Sequence, residues 1–160
     1  MPMTAPPIVR SDREYPDRPW VGVGVVVWRG ERVLLIRRGK APRLGQWSLP
    51  GGAQSVGETV FETAVREVRE ETGLAVVPTG IVTVVDAITP DDEGRVHFHY
   101  TLVEVAAESA EGEPVCADDA LEACWATPDE AGDLTEWDET RRVIRLAAAQ
   151  RALGRGASDR

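Results

Sequence analysis

The sequence has few cysteines, no long apolar run and no excess of basic residues. Cys116 and Cys124 form neither a CxxC pair nor another metal-binding spacing, so we expect reduced thiols and a cytoplasmic location. The longest apolar run, residues 20–28, covers nine residues and is too short to cross a bilayer. The polar, proline-rich N-terminus has no apolar segment typical of a signal peptide. The formal net charge of −9 argues against a long nucleic acid as partner.

The composition is that of one globular domain of ordinary size. Hydrophobic residues make up 42% and charged residues 28% of the chain, and 160 residues are enough to bury a core. We predict a flexible arm over residues 1–17, a folded domain over residues 18–154 and a polar tail over residues 155–160.

Apolar runs separated by turn residues predict the order of strands and helices. One hairpin is expected from residues 20–28 and 32–38, and a second from residues 75–87 and 95–106. The other predicted elements are a loop at residues 39–45, a helix at 57–72, an acidic loop at 107–118, a short strand at 121–126, a helical turn at 127–130 and a helix at 139–153. Strands mixed with helices in this order favour an α/β/α sandwich with a mixed β-sheet.

The most specific feature is the spacing of residues 52–74. The segment has the pattern G-x5-E-x7-R-E-U-x-E-E-x-G-U, where U is aliphatic, and its fixed positions are Gly52, Glu58, Arg66, Glu67, Glu70, Glu71 and Gly73. At 100° per residue, the last three glutamates fall within one sector of about 100° of the predicted helix. An adjacent sector is expected to face the core and contains Phe61, Ala64, Val65, Val68 and Thr72. Clustered carboxylates repel one another unless a cation lies between them, which predicts a hard divalent cation such as Mg²⁺.

This segment resembles the Nudix box of the Nudix hydrolases at every motif position. The resemblance implies the Nudix fold, Mg²⁺ with Mn²⁺ as the alternative, and cleavage of a nucleoside diphosphate linked to another group. It also implies that the carbonyl of Gly51 joins Glu67, Glu70 and Glu71 as metal ligands. Arg66 lies four residues before Glu70 and is expected to hold that carboxylate in position.

The resemblance further implies an acidic residue on a downstream loop, about six residues before an aromatic one. Asp119 precedes Trp125 by six residues, with Asp118 and Glu122 as alternatives. Either Glu67 or Asp119 would be the general base, and the sequence leaves this choice open. The predicted catalytic residues are therefore Glu67, Glu70, Arg66 and Asp119.

Substrate binding requires cations for phosphate and aromatic rings for a base. The candidates are Arg37, Arg38, Lys40, Trp47 and Tyr100. Because side chains alternate along a strand, only one of Arg37 and Arg38 is expected to point towards the cleft.

The substrate itself is less constrained by the sequence. Pro90 lies sixteen residues after Leu74, a position at which members of the family that cleave ADP-ribose often have proline. We therefore expect ADP-ribose or a related nucleotide sugar as a small-molecule partner, without a membrane partner. The alternatives are a nucleoside triphosphate pyrophosphatase and, from another class, a non-catalytic nucleotide-sugar sensor. A homodimer is compatible with the resemblance but has no support in the sequence.

Overall fold

The computed structural model describes residues 11–158, and the first ten residues of the predicted arm lie outside this range. The elements, in chain order, are β1 (Trp20–Arg29), β2 (Arg32–Arg38), β3 (Trp47–Ser48), β4 (Gly51–Ala53), α1 (Val60–Thr72), β5 (Val76–Pro90), β6 (Val96–Ser109), β7 (Ala120–Ala126), α2 (Pro128–Leu134) and α3 (Asp138–Ser158). Within the same range, none of the helices combines the length and the apolar character needed to cross a membrane.

The seven strands form one mixed sheet in which β1 is central. The strand order is β3-β2-β1-β6-β5, with β4 paired to β1 and β7 paired to β2. Strand β1 runs parallel to β6, and its register pairs Trp20 with Tyr100 and Gly24 with Glu104. The other pairings, including β1 with β2 and β5 with β6, are antiparallel. The predicted α/β/α sandwich with a mixed sheet is confirmed.

Alternation along β1 separates two cores, one on each face of the sheet. Val23, Val25 and Val27 are buried in the cluster that includes Ala64 and Val68 of α1. Val26 and Trp28 are buried in the opposite cluster, with Val143, Ile144 and Ala147 of α3. Successive side chains of a strand point to opposite faces, so a continuous apolar run is required where both faces are covered.

The box helix begins later than predicted because a threonine caps it. Thr59 has extended backbone angles, its side chain accepts from the N–H of Glu62, and the Glu62 carboxylate accepts from the N–H of Thr59. This reciprocal pair is a capping box, which ends the preceding turn and starts the helix at Val60. Gly73 adopts the left-handed conformation (φ 72°) and ends the helix as predicted.

One residue expected on the core face of α1 is exposed. Phe61 has 38% of its surface accessible, whereas Thr63 is fully buried. The helix therefore packs through Thr63, Ala64, Val68 and Thr72. Phe61 lies in the first turn, and the prediction for it was wrong.

The segments at both ends of the described chain are more ordered than predicted. Within the proposed arm, the N–H of Tyr15 donates to the carbonyl of His97 (2.8 Å), and its hydroxyl donates to Asp91 (2.9 Å). Residues 11–17 thus lie against the β5–β6 hairpin. Helix α3 continues to Ser158, so residues 155–158 are helical. Strands β3 and β4 were not predicted, and β5 and β6 extend three residues beyond the predicted ends.

The cap of α1 predicts a measurable loss of stability. Thr59→Ala should lower the free energy of unfolding by about 1 kcal/mol, because it leaves an N–H at the helix start without its partner. Thr59→Ser keeps the hydroxyl and is the matched control. Urea denaturation measures both variants, and equal stability of Thr59→Ala and the parent would contradict this role.

Candidate functional site

A pocket opens on the α3 face of the sheet, between β1, β6 and the loop that follows β2. Its volume is about 450 Å³, within the range of small-molecule sites. The walls come from strand residues such as Phe98, Tyr100 and Leu102 and from the glycines of β4. The pocket therefore reaches from the centre of the sheet to β4, the strand in which the segment of residues 52–74 begins.

Glycines of β4 bring this strand unusually close to its neighbours. A Cβ on Gly51, whose φ is 157°, would lie 2.1 Å from the carbonyl oxygen of Val23. A Cβ on Gly52 would lie 2.4 Å from the carboxylate of Glu67. Gly51 is therefore required by its backbone angle and by the backbone of β1, whereas a side chain at Gly52 would displace the Glu67 carboxylate. As a result, Glu67 on α1 packs directly on the backbone that lines the pocket.

Arg66 ties the loop, the strand and the helix together. Its guanidinium donates to Glu58 through Nε and Nη2 (2.7 and 2.9 Å). It also donates to Glu67 (2.7 Å), to Glu70 (3.2 Å) and to the carbonyl of Ala53 (3.1 Å). The hydrogen bonds from Arg66 lower the pKa of Glu58 to about 2 and raise that of Arg66. The predicted contact with Glu70 is present, but Glu58 is the principal partner.

Glu71 is a buried carboxylate with few hydrogen bonds to offset the cost of burial. It is 5% exposed and accepts one long hydrogen bond from the N–H of Gly51 (3.3 Å). Burial raises its pKa to about 8, and the charge of Glu67 adds to this, against smaller opposing effects of the Gly51 bond and the Arg38 and Lys40 charges. A carboxylic acid in such surroundings is ionised at neutral pH only when positive charge comes close.

The predicted metal ligands are only partly brought together. Glu67 and Glu71 lie beside Gly52 and Gly51, whereas the exposed Glu70 contacts Arg66. In residues 11–158, no three His, Cys, Asp or Glu side chains are close enough to form a metal-binding group. The acidic sector of α1 is thus divided between the buried Glu71 and two carboxylates, Glu67 and Glu70, that accept from Arg66.

The two arginines at the end of β2 point in different directions, as alternation predicts. Arg38 lines the pocket, donates from Nε to the carbonyl of Pro42 (2.7 Å), and has its pKa lowered by burial. Arg37 does not line the pocket and forms an ion pair with Glu122 (2.6 Å). Arg38 is therefore the cation that faces the cleft.

Lys40 and Asp119 meet at the rim of the pocket. Lys40 is part of the pocket wall, and its ammonium group forms an ion pair with Asp119. The N–H of Gly39 also donates to the carbonyl of Asp119 (2.6 Å). The downstream loop is thereby joined to the loop after β2, while Asp119 itself is not among the residues that line the pocket.

Aromatic residues line the pocket, but not the set that was predicted. Tyr100 is part of the wall, whereas Trp47 packs against the core cluster under α3 and does not line it. Trp137 takes part in the wall instead, with the guanidinium of Arg43 stacked 3.6 Å from its ring centroid. The local sequence around Trp137, between α2 and α3, does not predict that it lines the pocket, because this position depends on how the helices pack.

A second buried acid, which sequence analysis missed, lies in the pocket. Glu104 of β6 is 5% exposed, and its Oε2 has no hydrogen-bond partner among the described residues. Burial raises its pKa to about 7. Its position in an otherwise apolar strand segment was the available sequence signal.

Known proteins resemble the chain in sequence and in fold. A Methanocaldococcus jannaschii protein named ADP-ribose pyrophosphatase is 36% identical over 105 residues, which cover 66% of this chain and 60% of that protein. A Mycobacterium tuberculosis protein named "Putative 8-oxo-dGTP diphosphatase 2" is 34% identical over 140 residues, covering 87% of this chain and 93% of that protein. The chain thus spans three fifths of the archaeal relative and nearly all of the mycobacterial one.

The fold is similar to that of a solved NUDIX hydrolase structure. The crystal structure of a MutT NUDIX hydrolase from Burkholderia pseudomallei has a TM-score of 0.69 and 30% identity, and the match covers 81% of this chain and 98% of that one. The NUDIX domain family matches residues 18–147, which include the sheet, α1 and most of the residues that line the pocket. The chain belongs to the NUDIX domain family.

Proposed function

We propose that the protein hydrolyses the diphosphate linkage of a small nucleotide, with Mg²⁺ as cofactor and ADP-ribose or a related nucleotide sugar as substrate. One observation carries the proposal: the backbone of Gly51 and Gly52 has the acidic face of α1 on one side and the pocket on the other. A diphosphate lying along this strand would be close to both. The relative named ADP-ribose pyrophosphatase supports the choice of substrate.

The donors at this junction fit a hard divalent cation. Glu67 and Glu71 offer carboxylate oxygens and Gly51 a carbonyl, which are the ligands that Mg²⁺ and Mn²⁺ prefer. The raised pKa of Glu71 reflects burial, with the Glu67 carboxylate nearby, and a bound cation would favour the ionised form of Glu71. Such an ion, when bound, supplies positive charge for the diphosphate oxygens and lowers the pKa of water. Glu70 is the fourth proposed ligand, although it contacts Arg66 in this structure.

The remaining groups would orient the substrate and take up a proton. Arg38 faces the cleft and offers a fixed fork of donors to a phosphate. Glu67 packs on Gly52 and would serve either as a metal ligand or as the group that accepts the proton of the attacking water. Asp119, paired with Lys40 at the rim, would assist as an outer acid. An Asp119→Asn variant with an unchanged kcat at every pH would remove Asp119 from this scheme.

A second candidate function is pyrophosphate release from a nucleoside triphosphate. The observation in its favour is the similarity to the mycobacterial protein named for 8-oxo-dGTP, which extends over 87% of this chain. The same carboxylates and Arg38 would serve both reactions, because each breaks a phosphoanhydride bond. The two candidates differ in what lies beyond the diphosphate, a sugar or a further phosphate.

A hydrolysis screen decides between these functions. The purified protein is incubated with Mg²⁺ and ADP-ribose, nucleotide sugars, dinucleoside polyphosphates or dNTPs, and the products are separated chromatographically. We expect AMP and ribose 5-phosphate from ADP-ribose, and a smaller kcat/KM for the triphosphates. Preference for a triphosphate would support the second candidate. Binding without turnover of any compound would support a non-catalytic nucleotide-sugar sensor.

Removing the buried carboxylate of α1 should abolish the response to Mg²⁺. Glu71→Gln is expected to lower kcat by about 10³, on the scale of losing one principal electrostatic stabiliser. The metal-free variant should fold normally, because a neutral amide replaces a carboxylate that is costly to bury. Differential scanning calorimetry with and without Mg²⁺ should show a Tm increase for the parent and none for the variant.

Glu62→Gln, an exposed change on the same helix that preserves the capping box, is the control for this experiment. Glu70→Gln tests the remaining ligand: a higher Mg²⁺ requirement identifies a metal ligand, and an unchanged one identifies a partner of Arg66 alone. Normal turnover of Glu71→Gln at saturating Mg²⁺ would refute the proposed metal site.

The two arginines of β2 provide a matched pair for testing phosphate recognition. Arg38→Ala should raise KM by about tenfold or more, since a hydrogen bond to a charged group contributes about 1.5–3 kcal/mol. Arg37→Ala should leave KM nearly unchanged, because it removes an exposed ion pair outside the pocket. Steady-state kinetics on ADP-ribose measure both, and a KM equal to that of the parent in both variants would show that phosphate is bound elsewhere.

A further inference from the structure

Glu104 is a buried carboxylate that the diphosphate chemistry does not use. It lies on the α3 face of β6 and forms part of the pocket wall. Its Oε2 is buried and accepts no hydrogen bond from the described residues. Because burying a carboxylate without donors is costly, nearly all such groups have a hydrogen-bond partner. An acceptor of this kind inside a ligand pocket is suited to a donor that the ligand carries.

A glycine opposite Glu104 leaves space for its side chain, and the nearby arginine is paired with another acid. Gly24 is the register partner of Glu104 across β1 and β6, and a Cβ on Gly24 would lie 2.0 Å from the Glu104 carboxylate. The cation that acts on Glu104 is Arg142 of α3, and its guanidinium is engaged by Glu139 (2.6 Å). Burial raises the pKa of Glu104 to about 7, with Arg142 lowering it and Glu139 raising it.

The surroundings of Glu104 favour a flat, largely apolar ligand group. Phe98, Tyr100 and Leu102 lie on the same face of β6, and Trp137 contributes a further ring to the wall. A phosphate or another anion would be repelled by the carboxylate. A nucleobase offers a planar π-face for the aromatic walls and an N–H edge for a single buried acceptor.

We propose that Glu104 determines base specificity by accepting a hydrogen bond from the exocyclic amine of a purine in this pocket. The inference rests on the proposed function only in that the ligand is a nucleotide. Arg38 lines the pocket where β2 ends, which is the side where the phosphates would lie, and Glu104 is in the wall formed by the sheet. Glu104 therefore acts in binding and has no part in the hydrolytic step.

The test compares ligands that differ by one amine. Dissociation constants are measured by calorimetry in Ca²⁺-containing buffer for ADP and its analogue with hydrogen in place of the 6-amine, and for GDP and IDP. In the unsubstituted protein, loss of the amine should raise Kd about tenfold or more in one of the two pairs, as expected for a hydrogen bond to a charged acceptor. In Glu104→Met, the same pair should differ much less, and the protein should have a higher Tm at pH 8.

Glu108→Met is the matched control, since Glu108 lies on the same strand, pairs with Arg151 and does not line the pocket. It should keep the discrimination between the two ligands. Should Glu104→Met not fold, Glu104→Val removes the same acceptor with a residue that suits a central strand.

Three results would overturn the proposal: no binding of either purine diphosphate, no effect of the amine in the unsubstituted protein, or an equal effect in the Glu104 variant. Hydrolysis is measured separately on ADP-ribose. Amine discrimination without hydrolysis would refute the proposed function and leave this inference standing. Hydrolysis of ADP-ribose, together with amine discrimination that does not depend on Glu104, would support the proposed function and refute this inference.

Discussion

The site depends on the hydrogen bonds of one guanidinium. Arg66 joins Glu58, which precedes the helix, to Glu67 on the helix and to the carbonyl of Ala53 on β4. Its planar fork of five N–H donors reaches four separate groups, counting Glu70, whereas an ammonium group has only three donors, all on one nitrogen. The group is also shielded, with 31% of the side chain exposed, so its ion pairs are screened less than those of a surface arginine. Strand, turn and helix are consequently held in one arrangement, and the acidic face of α1 is fixed against the pocket backbone.

Two buried acids lie on opposite faces of the sheet, and neither stabilises the fold. Glu71 on the α1 face has a pKa raised to about 8, and Glu104 on the α3 face has one raised to about 7. A raised carboxyl pKa means that the native state binds protons more tightly than the unfolded state. The destabilising effect of these two acids is therefore absent below about pH 4.5 and grows as the pH rises towards 7 and 8. A chain selected for stability alone would have apolar residues at both positions, which agrees with the ligand-binding roles that we propose for both acids.

Local rules account for the parts of the site that could be read from the sequence. Helix geometry alone places Glu67, Glu70 and Glu71 on one sector, Gly73 ends the helix because it adopts φ 72°, and alternation separates Arg38 from Arg37. The start of α1 was recoverable too, since Thr59-x-x-Glu62 is a capping-box pattern. What local rules could not give is non-local: β3 and β4 have two and three residues and exist only through pairing with β2 and β1. The presence of Trp137 in the pocket wall, where Trp47 was predicted, likewise depends on helix packing.

Glycines explain how the two halves of the site come together. Gly22 and Gly24 remove side chains from the α3 face of β1, and their space is taken by Leu102 and Glu104 of the neighbouring strand. Gly51 pairs with Gly24, so the same residue of β1 has the pocket acid on one side and the strand beneath α1 on the other. A side chain at either glycine would separate these strands or fill the cleft. In the function that we propose, polar groups on both faces of the sheet would act on one extended ligand. The structure allows this because the backbone between them, at Gly24 and Gly51, has no side chains, so the short strand β4 has a part in the proposed site.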